Sequence, residues 1–206
     1  MKGSQLSTWR TQDQREVAKH RWLETLPAEK PAWVFAYGSL MWNPGFEYES
    51  VLSATIYGYH RRFCIFSHVY RGTPEAPGLV FGLDRGGSCW GRVFQIAPSQ
   101  VSTVLGAIWD REMIYRVYVP RKLIALFDKR RLTCHTFVAN PHHEQYAGRM
   151  DLARTARMIA RARGKAGSNP DYLSNTLDHL EELGFQDGNL TRLQATVRSL
   201  GDSRTC

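Results

Sequence analysis

The spacing of apolar and polar positions differs between the earlier and the later part of the chain. Up to about residue 96 the apolar stretches are short and rich in β-branched and aromatic residues, as in the uncharged run 32–37. Such a run is typical of a strand that is buried on both faces. Beyond residue 144 the apolar positions recur at helical spacing, and Gly164 and Gly184 are suited to ending helices. The pattern therefore predicts strands first and helices later.

These spacings predict a set of strands and helices and, from their order, a fold class. The predicted strands are 32–37, one or two within 51–70, 78–84, 89–96, 117–127 and 132–139. The predicted helices are 8–26, 99–114, 144–163, 170–183 and 189–200. The glycine-rich segment 84–88 indicates a hairpin, and 71–78 is a loop by composition. This order is typical of an α+β fold with a small barrel or curved sheet and outer helices. We expect residues 1–30 to form a polar helical arm and residues 31–206 one domain.

Composition favours a folded protein of a reducing compartment. Hydrophobic residues make up 43% of the 206 residues and charged residues 22%, which argues against disorder. The four cysteines form no Cys-x-x-Cys pair, and Cys64 and Cys134 lie in apolar runs that predict core positions. No apolar run approaches a membrane span, and residues 1–30 lack the apolar centre of a signal peptide. We therefore expect a cytoplasmic protein without a membrane partner.

The formal net charge of +8 allows a nucleic-acid partner or an anionic substrate. The densest basic run is 149–165, RMDLARTARMIARARGK. A charge run of this kind is usually the solvated face of a helix. No RNA-binding or zinc-finger signature accompanies it. We therefore expect no nucleic-acid partner.

Glu112 occupies an unusual position on the predicted helix 99–114. At about 100° per residue, one face of this helix carries Val101, Val104, Leu105, Ile108 and Trp109. Asp110 projects from the opposite face, as a solvated acid should. Glu112 falls on the apolar face, where burial raises the pKa of a carboxyl and suits it to general acid-base catalysis. The alternative is a structural glutamate at a helix end that pairs with Arg111 or Arg116.

The segment Tyr37-Gly38-Ser39-Leu40 follows directly on the first predicted strand. A Gly-Ser corner at a strand end presents several backbone N–H groups, which can bind a carboxylate or an oxyanion. Glycine also lets a ligand approach the backbone closely. The alternative is a plain turn, since four residues of this kind are common.

The sequence His142-His143-Glu144, with His135 nearby, raises the question of a metal site. Adjacent histidines point in different directions on a strand or helix, and Asn140-Pro141 marks a loop. A surface loop fits this segment better than a set of metal ligands. We therefore expect no metal centre.

Four segments of the chain resemble the ChaC family of γ-glutamylcyclotransferases, especially its bacterial branch. They are WVFAYGSLMWNPGF at 33–46, RGTPEAPG at 71–78, WDREM at 109–113 with Tyr118 and Pro120 downstream, and GSNPDYL at 167–173. The matches come in the family's order and extend over about 33–184. The resemblance implies a small mixed β-barrel with flanking helices, glutathione as the substrate, and no metal or organic cofactor. It places the family's catalytic glutamate on Glu112.

The resemblance also suggests which residues hold the substrate. The candidates are Tyr37, Gly38, Ser39, Leu40, Arg71, Tyr118 and Tyr172. The backbone of the first loop would hold the γ-glutamyl end or the oxyanion, and Arg71 can pair with a peptide carboxylate. Tyr118 and Tyr172 can orient the substrate through their hydroxyl groups, or they can serve only core packing.

One stretch departs from the family pattern. The family often has a small residue between the glutamate helix and the next strand, where this chain has Tyr115-Arg116-Val117. Bulk at this place can reshape a pocket, so a different γ-glutamyl amine or dipeptide is an alternative substrate. A non-catalytic binding module on the same fold is a second alternative, and Glu112 on the apolar face argues against it.

Overall fold

A computed structural model describes residues 11–27 and 29–202. The chain forms two compact units. The first comprises the residues up to Arg61 together with Leu83–Glu144, and the second comprises Arg62–Gly82 together with the residues from Gln145 onward. Two long strands begin in one unit and end in the other.

The sheet is a closed barrel of five strands in the order β1-β3-β2-β4-β5. The strands are β1 Ala32–Ala36, β2 Ser50–Ser67, β3 Gly78–Ile96, β4 Tyr118–Phe127 and β5 Arg130–Ala139. β1 runs antiparallel to β3 but parallel to β5, where Val34 lies opposite His135. β4 and β5 form a hairpin whose turn residues Asp128 and Lys129 both have positive φ angles, as a two-residue hairpin turn requires. The expected small mixed barrel is thus confirmed.

The interior of the barrel in the first unit is apolar. β1 is buried at four of its five positions, which confirms the prediction of a strand buried on both faces. The core cluster consists of Phe35, Ala54, Ile56, Leu83, Cys89, Val93, Ala125, Cys134 and Val138. Cys134 and Cys64 are both fully buried, as their apolar runs predict. Burial raises the pKa of the Cys134 thiol to about 12, so this thiol is inert.

Two helices accompany the barrel strands in the first unit. They are α1 Gln12–Leu23 and α2 Val101–Glu112, and a short 3₁₀ turn at Pro98–Gln100 precedes α2. The Trp22 ring of α1 lies 5.1 Å from the Trp109 ring of α2, between centroids, and 5.7 Å from Phe137 of β5. α1 is the described part of the predicted arm, whose first ten residues lie outside the described residues.

The second unit contains the remaining helices. They are α3 Leu152–Arg161, α4 Asn169–Glu182 and α5 Gly188–Asp202, with a two-stranded sheet of β6 Arg163–Gly164 and β7 Gly167–Ser168 before α4. Asp151 and Ser168 cap α3 and α4, because each side chain accepts a hydrogen bond from a first-turn amide. Gly184 has a φ of +76° just after α4, which confirms it as a helix stop.

The predicted hairpin at 84–88 is wrong. β3 runs without interruption from Gly78 to Ile96, and Gly86 and Gly87 lie within it at φ angles of +99° and +68°. Positive φ angles serve a β-bulge as well as a hairpin turn. β3 lies beside β2 in the barrel, and the His60 ring of β2 contacts this stretch, with Nδ1 2.8 Å from the Gly86 carbonyl oxygen. The strand therefore continues past the two glycines and does not reverse.

The predicted helix 144–163 begins later than expected, at Leu152. Residues 145–147 pair instead with β2, through Phe66 N–H to the Gln145 carbonyl and Ala147 N–H to the Cys64 carbonyl. These pairings hold the segment extended. Gly164 lies in β6 and does not end α3. None of the helices in the described part of the chain is both long enough and apolar enough to cross a membrane.

Candidate active site

The loop after β1 carries the predicted segment 37–40 and turns through a short 3₁₀ helix. Two arginines of the barrel strands hold this loop. Arg61 Nε donates to the Tyr37 carbonyl oxygen at 2.6 Å, and Arg92 Nη1 donates to the Met41 carbonyl oxygen at 2.8 Å. The Tyr37 ring packs against the barrel core. The ring of Tyr37 therefore contributes to the core, and its carbonyl group helps to anchor the loop.

The backbone of this loop is accessible. A Cβ atom placed on Gly38 would meet no heavy atom within 4 Å. Across residues 11–27 and 29–202, the amide N–H groups of Ser39 and Leu40 form no hydrogen bond. Such N–H groups are available to an anionic or carbonyl oxygen of a ligand.

Glu112 is the last residue of α2 and lies next to its buried face. The five predicted face residues Val101, Val104, Leu105, Ile108 and Trp109 are all buried, which confirms the helical pattern. The Glu112 side chain is only 19% exposed. Burial raises the pKa of its carboxyl above the usual value of 4.5, and the adjacent Arg111 guanidinium opposes that shift.

Arg111 connects Glu112 to the loop after β1. Its Nε lies 3.5 Å from Glu112 Oε1, its Nη2 donates to Ser39 Oγ at 2.6 Å, and its Nη1 reaches the Asn43 carbonyl oxygen at 3.5 Å. Neighbouring side chains on a helix do not normally face each other, so this pairing depends on the end of the helix. The predicted loop and the predicted glutamate are thus brought together in the first unit, with Arg111 between them.

Asp110 does not project freely into solvent, contrary to the expectation. Arg15 and Lys19 of α1 both pair with it, at 3.1 Å from Oδ1 and 2.5 Å from Oδ2. Helical periodicity correctly places Asp110 away from the apolar face of α2. It cannot show that another helix brings two cations to that side.

The departing stretch 115–117 connects α2 to β4, and Tyr118 is the first residue of β4. Tyr118 begins β4 opposite Ala139 and is half-buried. Arg116 is exposed and has a φ of +57°, a conformation that glycine adopts without strain. Its carbonyl accepts a hydrogen bond from Asn140 Nδ2 at 3.3 Å.

Arg71 and Tyr172 belong to the second unit and contact each other there. The Arg71 guanidinium lies 4.8 Å from the centroid of the Tyr172 ring, a cation–π distance. Arg71 Nη1 also donates to the Ala166 carbonyl oxygen at 2.5 Å. The Tyr172 ring packs against Phe63 and Phe81 at 5.9 Å from each. Both side chains thus have packing roles within their own unit.

Asn169 is a structural residue for which the sequence predicted no role beyond its place in the fourth family-like segment. It is fully buried, and its Oδ1 accepts from the Leu79 N–H at 2.6 Å while its Nδ2 donates to the Leu79 carbonyl at 2.8 Å. Ser168, one residue before Asn169, is the N-cap of α4. The signal for this role was the asparagine in the fourth family-like segment, but local sequence cannot show that its partner lies 90 residues away.

The other candidate sites of the chain have no comparable geometry. Within the described residues, no group of three or more His, Cys, Asp and Glu side chains could hold a metal ion. His142 and His143 lie in a turn built on Asn140. The basic face of α3 lines an open groove of about 380 Å³ opposite residues 75–77, with Arg154 and Arg157 exposed, as expected for a solvated helix face.

Comparisons with known proteins agree with this fold and these motifs. The family model described as ChaC-like protein matches residues 32–200. The chain is 34% identical over 189 residues to the glutathione-specific γ-glutamylcyclotransferase of Escherichia coli (strain K12), a match that covers 91% of this chain and 82% of that protein. It is 31% identical over 180 residues to the human glutathione-specific γ-glutamylcyclotransferase 1, covering 84% and 80%.

A solved structure supports the same fold. The crystal structure of a γ-glutamylcyclotransferase specific to glutathione from yeast superimposes with a TM-score of 0.72 at 24% identity, over 82% of this chain and 96% of that one. The fold is therefore that of the γ-glutamylcyclotransferases. Because the family model covers most of the chain and these relatives are matched over most of their length, the protein belongs to the ChaC-like family.

Proposed function

We propose that the protein is a glutathione-specific γ-glutamylcyclotransferase, which cyclises the γ-glutamyl group of glutathione to 5-oxoproline and releases cysteinylglycine. Glu112 is its general acid-base residue. The observation that carries this assignment is a poorly exposed carboxyl with a raised pKa, linked by Arg111 to a loop with accessible backbone N–H groups. The glutathione-specific relatives in Escherichia coli and human support the substrate.

The proposed reaction needs no nucleophile from the protein. The α-amino nitrogen of the substrate attacks its own γ-carbonyl carbon, a five-membered lactam forms, and the bond to the cysteine nitrogen breaks. The α-ammonium loses two protons in becoming the lactam N–H, and the leaving nitrogen gains two in becoming an ammonium, so no proton is consumed. The protein has to fold the substrate, supply a base and stabilise the oxyanion.

Glu112 can carry a proton in each half of this exchange. An ordinary glutamate is a weak base toward an ammonium group because their pKa values lie far apart. Burial narrows that gap by raising the pKa of the Glu112 carboxyl. The ionised carboxylate would accept a proton from the α-ammonium and return one to the leaving nitrogen.

The loop after β1 would hold the γ-glutamyl end of the substrate or its oxyanion. The open space at Gly38 and the available N–H groups of Ser39 and Leu40 support this role. Tyr118 would orient the substrate through its hydroxyl group. For Arg71 and Tyr172, which contact each other in the second unit, substrate contact stays a prediction from the family resemblance.

A cytoplasmic location is part of the same proposal. Glutathione is abundant in reducing compartments, where cysteines remain thiols. Cys64, Cys89 and Cys134 are buried and not joined in disulfides, which is compatible with such a compartment.

The reaction is tested with purified protein and glutathione, by mass spectrometry for 5-oxoproline and cysteinylglycine. Glu112→Gln keeps the shape of the side chain but removes the base, and we expect it to lose about 10²–10⁴-fold in kcat. Glu181→Gln, an exposed glutamate of α4, is the matched control and should keep full activity. Product from Glu112→Gln at the wild-type rate would remove Glu112 from its role.

Loss of activity in Glu112→Gln should not come from unfolding. A raised folded-state pKa means that the protonated carboxyl stabilises the fold, and this contribution is lost as the pH rises through that pKa. Glutamine resembles the protonated form. We therefore expect Glu112→Gln to unfold at no lower temperature than the wild type at neutral pH. No product from a folded wild type would exclude glutathione, and a panel of γ-glutamyl amines and dipeptides would then test the alternative substrate.

A further inference from the structure

Three consecutive side chains at the end of α2 differ in what they contact or are proposed to do. Asp110 pairs with Arg15 and Lys19 of α1. Arg111 bonds to the loop after β1, and Glu112 is the proposed base. The end of the helix that carries Glu112 is therefore held from two sides, and one of those sides is α1.

Arg15 contacts the backbone of α2 as well as a side chain. Its Nη2 donates to the Asp110 carbonyl oxygen at 2.8 Å and to Asp110 Oδ1 at 3.1 Å. Carbonyl groups in the last turn of a helix have no donor within the helix. Arg15 supplies that donor, and its positive charge is also favourable at a helix C-terminus.

The contact between α1 and α2 continues along the helix. Lys19 Nζ lies 2.5 Å from Asp110 Oδ2, and a Cβ atom on Gly106 would come within 3.3 Å of Lys19 Cε. Gly106 therefore leaves the room in which the Lys19 stem lies. The Trp22 ring packs at a tilt against the ring of Trp109, the residue three positions before Glu112.

These contacts are partly sheltered from water. The Arg15 and Lys19 side chains are 19% and 20% exposed, and Asp110 is 42% exposed. Fully exposed ion pairs contribute little. Here a backbone hydrogen bond, two cations and an aromatic contact act on the same helical turn, the turn that would otherwise fray.

We propose that α1 positions the base: Arg15 and Lys19 are positioning residues for the cyclotransferase reaction, and they act on Glu112 through Asp110 and the last turn of α2. This rests on the proposed function. Neither cation touches the reacting atoms. Their contribution is to keep the Glu112 carboxylate at the place where it meets the α-ammonium, because a small displacement of a catalytic group is costly in rate.

The test compares two arginines of α1 under the same substitution. Arg15→Met removes the contacts to Asp110, whereas Arg21→Met removes an exposed cation of the same helix that lies away from Asp110. Asp110→Asn removes the charge pair but keeps the backbone carbonyl, so it provides the test if Arg15→Met does not fold. Lys19→Arg, which keeps a cation there, is compared with Lys19→Met. The measurements are kcat and KM for glutathione, and amide hydrogen exchange over residues 109–113.

We expect Arg15→Met to lower kcat about tenfold with KM changed by less than about twofold, as displacement of a catalytic group predicts. Asp110→Asn and Lys19→Met should lose less, Lys19→Arg should recover activity, and Arg21→Met should match the wild type. Exchange over 109–113 should quicken in Arg15→Met and not in Arg21→Met.

The positioning role is overturned if Arg15→Met and Asp110→Asn both keep the kcat of the Arg21→Met control. A purely structural role would instead lower the melting temperature without separating kcat from KM, and this would also overturn it. If the wild type itself turns over no γ-glutamyl compound, the proposed function fails. Unchanged exchange over 109–113 in Arg15→Met would then reject the support of α2 by α1 independently.

Discussion

Two glycine-containing loops of the family-like segments differ in how much room they leave. The loop after β1 has open space at Gly38, where an added Cβ would meet nothing within 4 Å. In the loop 71–78, an added Cβ on Gly72 would overlap the amide nitrogen of Gly78, and one on Gly78 would overlap the carbonyl group of Arg71. One glycine borders space for a ligand, and the other two allow a tight closure of the chain.

A segment that resembles a family motif therefore does not by itself indicate a binding role. The closed loop is further held by Asn169, whose side chain bonds to both backbone groups of Leu79. The open loop has amide N–H groups without an acceptor in the described part of the chain. The closed loop 71–78 stabilises the second unit, whereas the open loop after β1 is suited to binding a ligand.

The largest effect on the free energy of unfolding is expected from alanine at Gly78, and alanine at Gly38 is the comparison. Gly78→Ala forces two backbone segments apart and should lower the free energy of unfolding by about 3 kcal/mol or more. Gly38→Ala has room for its methyl group and should change that free energy by about 1 kcal/mol or less. Denaturant unfolding followed by circular dichroism measures both.

Catalytic activity is expected to fall in the variant that keeps its stability. Gly38→Ala should lower kcat/KM for glutathione about tenfold or more while remaining folded, because its methyl group occupies space beside the proposed oxyanion site. A fully active Gly38→Ala together with a stable Gly78→Ala would contradict the contrast between the loops.

The next effect concerns the asparagine that holds the closed loop. Asn169→Ala leaves the buried N–H and carbonyl of Leu79 without partners and should cost about 2–4 kcal/mol of unfolding free energy. Asn175→Ala, an exposed asparagine of the same helix, should cost well under 1 kcal/mol, within about the range of ordinary surface substitutions. Thermal unfolding of the two variants decides this, and equal losses would reject the structural role of Asn169.

A smaller effect, on pH dependence, is expected at Arg111 beside the open loop. The Arg111 charge lowers the pKa of Glu112 against the larger effect of burial. Arg111→Met should therefore raise that pKa further, so that the acid limb of the rate profile moves to higher pH. Arg111→Lys keeps the charge and should move it less. A limb that stays in place in Arg111→Met would show that Arg111 does not act on the ionisation of Glu112.

The smallest effect is expected at Arg116, where the chain departs from the family pattern. A left-handed φ of +57° is strained for arginine and for alanine but not for glycine. Arg116→Gly should be more stable than Arg116→Ala by about 1 kcal/mol. Equal melting temperatures would indicate that this position is not strained.

Periodicity predicted those features that depend on neighbours within one helix or strand. The buried face of α2 and the position of Glu112 beside it follow from residues three and four apart, and the burial of β1 follows from an uncharged run. These signals are local, so the sequence contains them in full.

The features that were missed depend on distant partners. The glycine pair at 86–87 has positive φ angles, as in a turn, but β3 continues through it beside β2. Helical periodicity predicted a solvated Asp110, but Arg15 and Lys19 of α1 pair with it. Asn169 reaches a strand 90 residues earlier. No local pattern carries this information.

A pH–rate profile tests most directly whether Glu112 is the ionising group of the reaction. We would measure kcat/KM for glutathione from acid to neutral pH, in the wild type and in Glu112→Gln. We expect the wild-type rate to fall on the acid side with a pKa above the usual 4.5 of a glutamate, and the residual rate of Glu112→Gln to lack this limb. The same acid limb in both proteins, at the same pH, would contradict it.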